Sequence, residues 1–447
     1  MTTSESGPRP ADALPADGDE VRADVRAWLR RNANISAMVG DLVALPSLPA
    51  SVWQNSALDL VDQIVAGAPG ARRDRWVPDW EAVAQLAAPL DAQMLYTPLI
   101  ARDGAYADTL GEIETAVYSL HRGTGGPTLM LCGHTDVVPA DDQDWSTAPF
   151  EPRVHDGRLT GRGAMDMKAG TVAAALAFRY LAEHWHGNGT LLLALVPEEE
   201  TGGNGTLAAL QRGYTPDAAI FTEPTDLAVV HRHIGIQAFD IDVTGRPGGM
   251  LRRSWGTSAI PTLARIAVAL DDLERDRTAR ARAAGGYSDD DLPGFINTML
   301  TAGEWIATRA ATGHIEGLMS VLPGETQQDA EQELREAVTA AAASAGLPVS
   351  VQVRPGGHRG AELPVKHDLV TAFADSRAHP GEPGAPSRAG TMVCDAKIVQ
   401  GGGWAPSIVL GPVGGNLHSA DEWVDLASIT TCVELVVRGA LRYLAHT

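Results

Sequence analysis

Leu131-Cys132-Gly133-His134-Thr135-Asp136-Val137-Val138-Pro139, continued by Gly161-Arg162-Gly163-Ala164-Met165-Asp166-Met167-Lys168, is the stretch whose reading decides the fold. The apolar run from Thr128 to Cys132 predicts a buried strand that stops at a glycine, so His134 and Asp136 emerge where a parallel strand opens into its loop. In open α/β sheets, ligand chemistry sits at such strand ends. Two apart in extended backbone, the two side chains point the same way, and a carboxylate beside an imidazole suits a ligand with the partner that orients it. A hydrogen-bonded strand-end pair without a ligand explains this short motif as well.

Working outward, Asp166 follows a Gly-Arg-Gly turn and precedes a helical run from Met167 to His186, with Ala173, Leu176, Ala177, Tyr180 and Leu181 on its apolar face. Asp166 is therefore expected to cap that helix, a role that does not exclude metal ligation. Thr190 to Pro197 predicts a second buried strand, ending in Glu198-Glu199-Glu200 ahead of Thr201-Gly202-Gly203-Asn204-Gly205. Three carboxylates there repel one another unless cations or desolvation absorb the charge. A surface acidic cluster is the alternative, but such clusters rarely follow a long buried strand. Ala218 to Phe221 ends at Glu223-Pro224-Thr225, and Ser407 to Pro412 leads into Gly414-Gly415-Asn416-Leu417-His418.

The strand ends thus offer His134, Asp136, Asp166, Glu199, Glu200, Glu223 and His418. This is hard nitrogen and oxygen with no thiolate, which suits zinc, cobalt or manganese in a two-metal hydrolytic site. Two histidines, one bridging carboxylate, two terminal carboxylates and a spare carboxylate to act as base match such a site in number.

The strings His134-Thr135-Asp136, Gly161 to Lys168, Glu199-Glu200-Thr201-Gly202-Gly203, Glu223-Pro224-Thr225 and His418 resemble the di-zinc metallopeptidase and amidohydrolase family of acetylornithine deacetylase, succinyl-diaminopimelate desuccinylase, aminoacylase and carboxypeptidase G. The resemblance covers roughly residues 90 to 445. It implies two zinc ions per subunit: Asp166 would bridge them, His134 and Glu223 would complete one, Glu200 and His418 the other. It also implies that Glu199 is the general base and that Asp136 orients His134. The implied reaction is metal-assisted amide hydrolysis, in which the metals bring the pKa of bound water from 15.7 towards roughly 7 and Glu199 shuttles its proton to the leaving amine.

A chain of 447 residues can bury a large core and form two or three domains. Its formal net charge of -21 argues against nucleic acid or an anionic membrane surface as partner. Cys132, Cys394 and Cys432 are few for the length, and no disulfide framework is indicated. Without a leader-like or spanning apolar segment, the cytoplasm is the default expectation.

The expected fold is α/β: a zinc-peptidase-like catalytic domain with a mainly parallel sheet, plus an inserted smaller α/β sandwich. Residues 1–18 read as a disordered tail. Helices are expected at Val21 to Arg31 and Ile35 to Leu45, Val83 to Leu90 and Met94 to Leu99 continue this N-terminal layer, and Ala116 to His121 reads as a strand. From Ile234 the pattern changes: Phe239 to Val243 alternates as a half-exposed strand does, Pro261 to Leu273 is amphipathic, and Ile296 to Leu300, Gly313 to Leu322, Thr326 to Ala345 and Val349 to Val353 follow. Residues 19–233 and 356–447 are read as the catalytic di-metal domain and 234–355 as the lid or dimerisation domain that the resemblance implies, leaving a homodimer through the lid open. Gly390 to Lys397 resembles the loop that closes over the family's site.

The chain also departs from that family. Gly249, in Gly245-Arg246-Pro247-Gly248-Gly249-Met250, stands where relatives carry a lid histidine that stabilises the oxyanion, a donor whose loss typically costs about 2.7 to 4 kcal/mol. Arg252 or Arg253 could substitute. Trp305 to Ala311 replaces a Thr-Val-Pro turn and Leu318 an arginine, so the substrate is either unusual or gripped differently; Arg309 is either a displaced substrate contact or a solvated arginine. Three readings follow. The first is a deacylase acting on an N-acyl amino acid or related small amide, the second a di-zinc dipeptidase or carboxypeptidase acting on a short peptide. The last is a metal-binding homologue with weak or no hydrolysis in a specialised biosynthetic pathway. His231 and His233 read as hinge contacts, His184 and His186 as helix-end residues, and Gly401-Gly402-Gly403 as a turn.

Overall fold

A computed structural model describes residues 18–87, 110–141, 143–249, 251–288, 291–354, 357–377 and 387–445. The tail read at 1–18 lies outside these, except that Gly18 opens the first helix, and the Met94 to Leu99 stretch lies outside them entirely. In chain order the described strands begin with β1 (Arg72–Trp76), β2 (Thr115–Arg122), β3 (Thr128–His134), β4 (Arg153–His155), β5 (Arg158–Thr160), β6 (Gly189–Val196), β7 (Ala218–Phe221) and β8 (Val229–His233). They continue with β9 (Gly235–Thr244), β10 (Ile296–Ala302), β11 (Thr312–Val321), β12 (Val349–Val353), β13 (Ala361–Glu362), β14 (Ser387–Ala389), β15 (Ser407–Val409), β16 (Gly414–Gly415) and β17 (Trp423–Asp425).

The large sheet runs β1-β2-β6-β3-β7-β15-β8-β13, with β14 also on β8. Its centre is parallel, β6 with β3, β3 with β7 and β7 with β15. Antiparallel strands close both flanks, β1 and β2 on one side, β8 and β13 on the other. Alternate residues of a strand serve opposite faces: Leu129 and Leu131 enter one core, Met130 and Cys132 another. The first core is covered by helices Gly18–Asn32, Ile35–Val43, Trp53–Val65, Ala169–His184 and Leu426–Ala445, the second by Trp80–Ala87, Asn204–Gln211 and Ala396–Gly401. A sheet buried on both faces explains why its strands read as apolar runs rather than alternation. All three cysteines are buried and free.

Strands β10-β11-β9-β12 form a separate antiparallel sheet. Phe239, Ile241 and Val243 face helices Ile260–Ala284 and Gln327–Ala342 and share a core with Leu263, Ile266, Leu270, Leu334 and Val338. The first of these helices extends eleven residues past the expected end at Leu273. The second starts as expected, because Thr326 and Asp329 form a reciprocal cap. A small third sheet, β16-β17-β5-β4, lies beside the Gly161 to Lys168 segment.

Candidate metal centre

β3, β6 and β7 deliver three groups of side chains to one end of the sheet. His134 is the last residue of β3, and its ring is held by a hydrogen bond between Nδ1 and the Asp136 backbone carbonyl at 2.9 Å. That leaves Nε2 aimed at Asp166 Oδ1, 3.0 Å away, and at Glu223 Oε1, 3.7 Å away. On the other side of Asp166, His418 Nε2 lies 3.1 Å from Oδ2 and 3.5 Å from Glu200 Oε2. Asp166 is thus flanked by two imidazoles, each with a second carboxylate beside it.

The Asp136 carboxylate differs from its expected use. It lies 3.6 Å from His134 Nδ1, while it accepts the backbone N–H groups of Glu199 and Glu200 at 3.1 and 3.0 Å. Asp136 therefore orients His134 through its carbonyl and the Glu199-Glu200 peptides through its side chain. Glu198, with φ +61, turns away from this group and accepts from the Ala50 amide and Gln54 at 2.8 and 2.7 Å. Of the three consecutive glutamates, only Glu199 and Glu200 belong to the cluster. Glu199 Oε1 lies 3.4 Å from Lys397 Nζ, both buried.

Asp166 does not cap the following helix. Its backbone is non-helical (φ -116, ψ 102), the helix begins at Ala169 and ends at His184, and no side chain caps it. The reason lies in the buried carboxylate of Glu422, which accepts the amides of Gly163, Met165 and Asp166 at 3.0, 2.8 and 3.0 Å and pairs with Arg162 at 2.6 Å. These bonds hold the segment in a wide turn that presents Asp166 to the histidines.

Electrostatics mark the centre as cation-seeking. Burial, then the neighbouring carboxylates, push Glu223 and Asp136 well above the usual carboxylate range, and burial with Asp166 raises Glu200. Burial opposes charge on His418, yet Asp166 and Glu200 raise it to about 11. His134 is likewise raised against burial, chiefly by Glu223. Asp166 is held low, against burial, by hydrogen bonds from both imidazoles. Glu200 Oε1 is buried without a hydrogen-bond partner. A cluster whose charge must be balanced by protons on its own ligands, with an orphaned carboxylate oxygen inside it, fits divalent cations. Ligand atoms of His134, Asp166 and Glu200 lie within 4.8 Å of one another.

Sequence reading did not find Glu422, Asp395 or the pairing of Lys397 with Glu199, because those contacts span hundreds of residues. Lys168 is buried, donates to the Leu45 carbonyl at 2.8 Å and is pushed by burial down to about 7. His231 Nδ1 meets the Leu363 carbonyl at 2.7 Å, and His233 is fully buried. His184 stacks on Tyr180, away from the cluster. Arg252 lies over the Trp255 ring, 5.3 Å from its centroid, so it is engaged within its own segment; the side chain of Arg253 lies outside the described residues. Gly249 bridges to Thr308, and a Cβ there would meet nothing within 4 Å. Arg309 is half-buried, its amide bonded to the Gly248 carbonyl at 2.9 Å.

Residues 130–442 match the model of Peptidase family M20/M25/M40. Acetylornithine deacetylase of Proteus mirabilis is 28% identical over 328 residues, covering 71% of this chain and 79% of its own. Succinyl-diaminopimelate desuccinylase of Xanthomonas euvesicatoria is 31% identical over 341 residues, covering 72% and 84%. Among solved structures, an aminopeptidase from Bacillus cereus superposes with a TM-score of 0.65 at 17% identity, covering 92% of this chain and 98% of that one. An M20 family metallo-carboxypeptidase from Sulfolobus solfataricus gives 0.66 at 14% identity, covering 92% and 100%. At these identities the superpositions establish the fold.

Proposed function

The chain belongs to Peptidase family M20/M25/M40 and is a metal-dependent amidohydrolase, and from that premise we propose that it removes the acyl group from an N-acyl amino acid or related small amide. The observation that carries this reading is Asp166 lying between His134 and His418, each imidazole with its own second carboxylate. In this reading Asp166 would hold both of two zinc ions, with His134 and Glu223 on one side of it and Glu200 and His418 on the other. Bound there, the metals would polarise the scissile carbonyl and acidify the attacking water.

Glu199 is the group left over for proton transfer. It is buried at the same strand end, with its amide fixed by Asp136, and it would take the water's proton and pass it to the leaving amine, worth roughly 10² to 10⁴ in rate. The layer at 234–355 serves as the lid and, in a homodimer, as the contact between subunits. Two relatives are named for removing acetyl and succinyl groups, which favours the deacylase over the dipeptidase.

A second reading has its own observation. Among the described residues outside the chain neighbours of Gly249, nothing lies within 4 Å of the place a Cβ there would take, and a lid position without its histidine favours a metal-binding homologue with weak hydrolysis. One experiment separates them: zinc is titrated into chelated protein, and free amine is assayed from N-formyl, N-acetyl and N-succinyl amino acids and from dipeptides. Zinc-dependent amine release from an acyl amino acid, abolished in Glu199→Gln, is the expected result. Turnover of dipeptides alone would give the peptidase, and two bound zinc ions with no turnover anywhere would refute hydrolysis.

A further inference from the structure

Lys397 is the one lysine that touches the carboxylate cluster among the described residues, and no step above uses it. Its ammonium is buried, 3.4 Å from Glu199 Oε1. Burial works against its charge, but Glu199 and Asp395 hold it raised, so it remains a cation. The nearby imidazoles of His233 and His358 are pushed down to about 4 and about 3 by burial and by Lys397, which leaves carboxylates alone to answer its charge.

The placement of Lys397 is constructed from both sides. Asp395 Oδ2 accepts from Thr206 at 2.6 Å. Gly203 (φ +83) lets this segment press onto the turn after the glutamates: a Cβ at Gly203 would come within 2.0 Å of Ile398 and 2.2 Å of Asp395 Oδ1. On the other side, Ala389 donates to the Gly286 carbonyl at 3.0 Å, Thr391 lies 3.4 Å from Asp291, and Val393 packs with Ile234, Ala281 and Leu322. Gly286 and Asp291 lie on the C-terminal side of the long helix Ile260–Ala284 of the 234–355 layer. One continuous segment therefore joins that layer to Glu199.

We propose that Lys397 is a positioning residue whose ammonium aims the Glu199 carboxylate, and that the 389–397 segment ties this aim to the placement of the 234–355 layer. The inference rests on the reading of Glu199 as base. Lys397 itself touches no metal ligand, so its removal leaves the ligand set complete.

The test uses the full-length zinc-loaded protein and its Lys397→Met, Lys397→Arg, Glu199→Gln and Lys397→Met/Glu199→Gln variants. Lys397→Met is expected to keep two zinc ions and its KM within a few-fold, and to lose kcat by on the order of 10- to 100-fold, part of a general base's share. Lys397→Arg restores most of that loss. A kcat for Lys397→Met within two-fold of the unaltered protein, or a loss that appears in KM with kcat intact, overturns the proposal. Thermal midpoints of the same proteins supply a readout independent of turnover. Lys397→Met lowers the midpoint because Glu199 is left buried and unpaired, and adding Glu199→Gln recovers part of the drop; additive drops overturn the pairing. Absence of turnover in the unaltered protein would refute the hydrolase reading, and the thermal cycle alone would then decide the Lys397–Glu199 pair.

Discussion

Glu422 shows how much of the centre depends on a residue that ligates nothing. Its buried carboxylate holds three amides of the Asp166 turn and the guanidinium of Arg162, itself almost wholly enclosed. Breaking one side of a buried pair leaves an uncompensated charge, so Glu422→Gln is expected to cost about 3–5 kcal/mol in urea unfolding and to weaken zinc retention. Asp166→Asn acts differently: it keeps the shape of the turn but removes the charge between two imidazoles. Zinc content after dialysis is then expected to fall from two ions per chain to one or none, and an unchanged content would refute Asp166 as the bridge. Among the ligand candidates, His134, Glu200 and Glu223 were legible because each follows an apolar run, whereas Asp166 and His418 stood out by their glycine-rich turns. Glu422 was not legible, since its partners lie more than 250 positions away.

At the scale of elements, two close approaches register the site-bearing helix against the sheet. A Cβ at Gly170 would come within 1.8 Å of the Thr222 carbonyl, and one at Gly133 within 2.6 Å of Thr171. The Ala169–His184 helix therefore packs directly on the ends of β3 and β7, which fixes Asp166 relative to both His134 and Glu223. Gly170→Ala is expected to push these elements apart, costing about 1–3 kcal/mol in thermal or urea unfolding and reducing zinc affinity along with stability. Element reading from sequence succeeded for the central strands β2, β3, β6, β7 and β15, which are continuous apolar runs, and passed over β1 and β8, whose arginines and histidines break the apolar pattern. It misplaced the start of this helix, because Asp166 has a cap's local context while long-range amide bonds to Glu422 set its backbone.

For the whole molecule, stability and metal binding are expected to be linked, since the candidate ligands converge only in the folded chain. Zinc at a hundred times its Kd is expected to add about 2.7 kcal/mol per site, read as a higher melting midpoint that chelation reverses. Acid acts through the junction between the sheets. His233 has a folded pKa near 4 against about 6.5 unfolded, so the unfolded chain binds more protons between these values. The stability this neutral imidazole contributes is present above about pH 6.5 and is lost as pH falls towards 4, by about 3 kcal/mol at most. In chelated protein, His233→Gln is expected to flatten the fall in melting midpoint across this window; an unchanged slope would refute the assignment. Among the described residues no helix is long and apolar enough to cross a membrane.

The sequence alone determined that buried strands end in His134, Glu199-Glu200 and Glu223, and hence the α/β class and the candidate ligand types, because burial and periodicity are written locally in residue order. It also identified the change of pattern at Ile234. Only the tertiary structure decided which carboxylates face one another: Glu198 turns out of the cluster, Asp136 serves two strands, Glu422 shapes the Asp166 turn, and Lys397 reaches Glu199 across 198 positions. Those relations depend on strand order and chain crossings, which bring distant residues within a few ångströms and leave no trace in their local sequence.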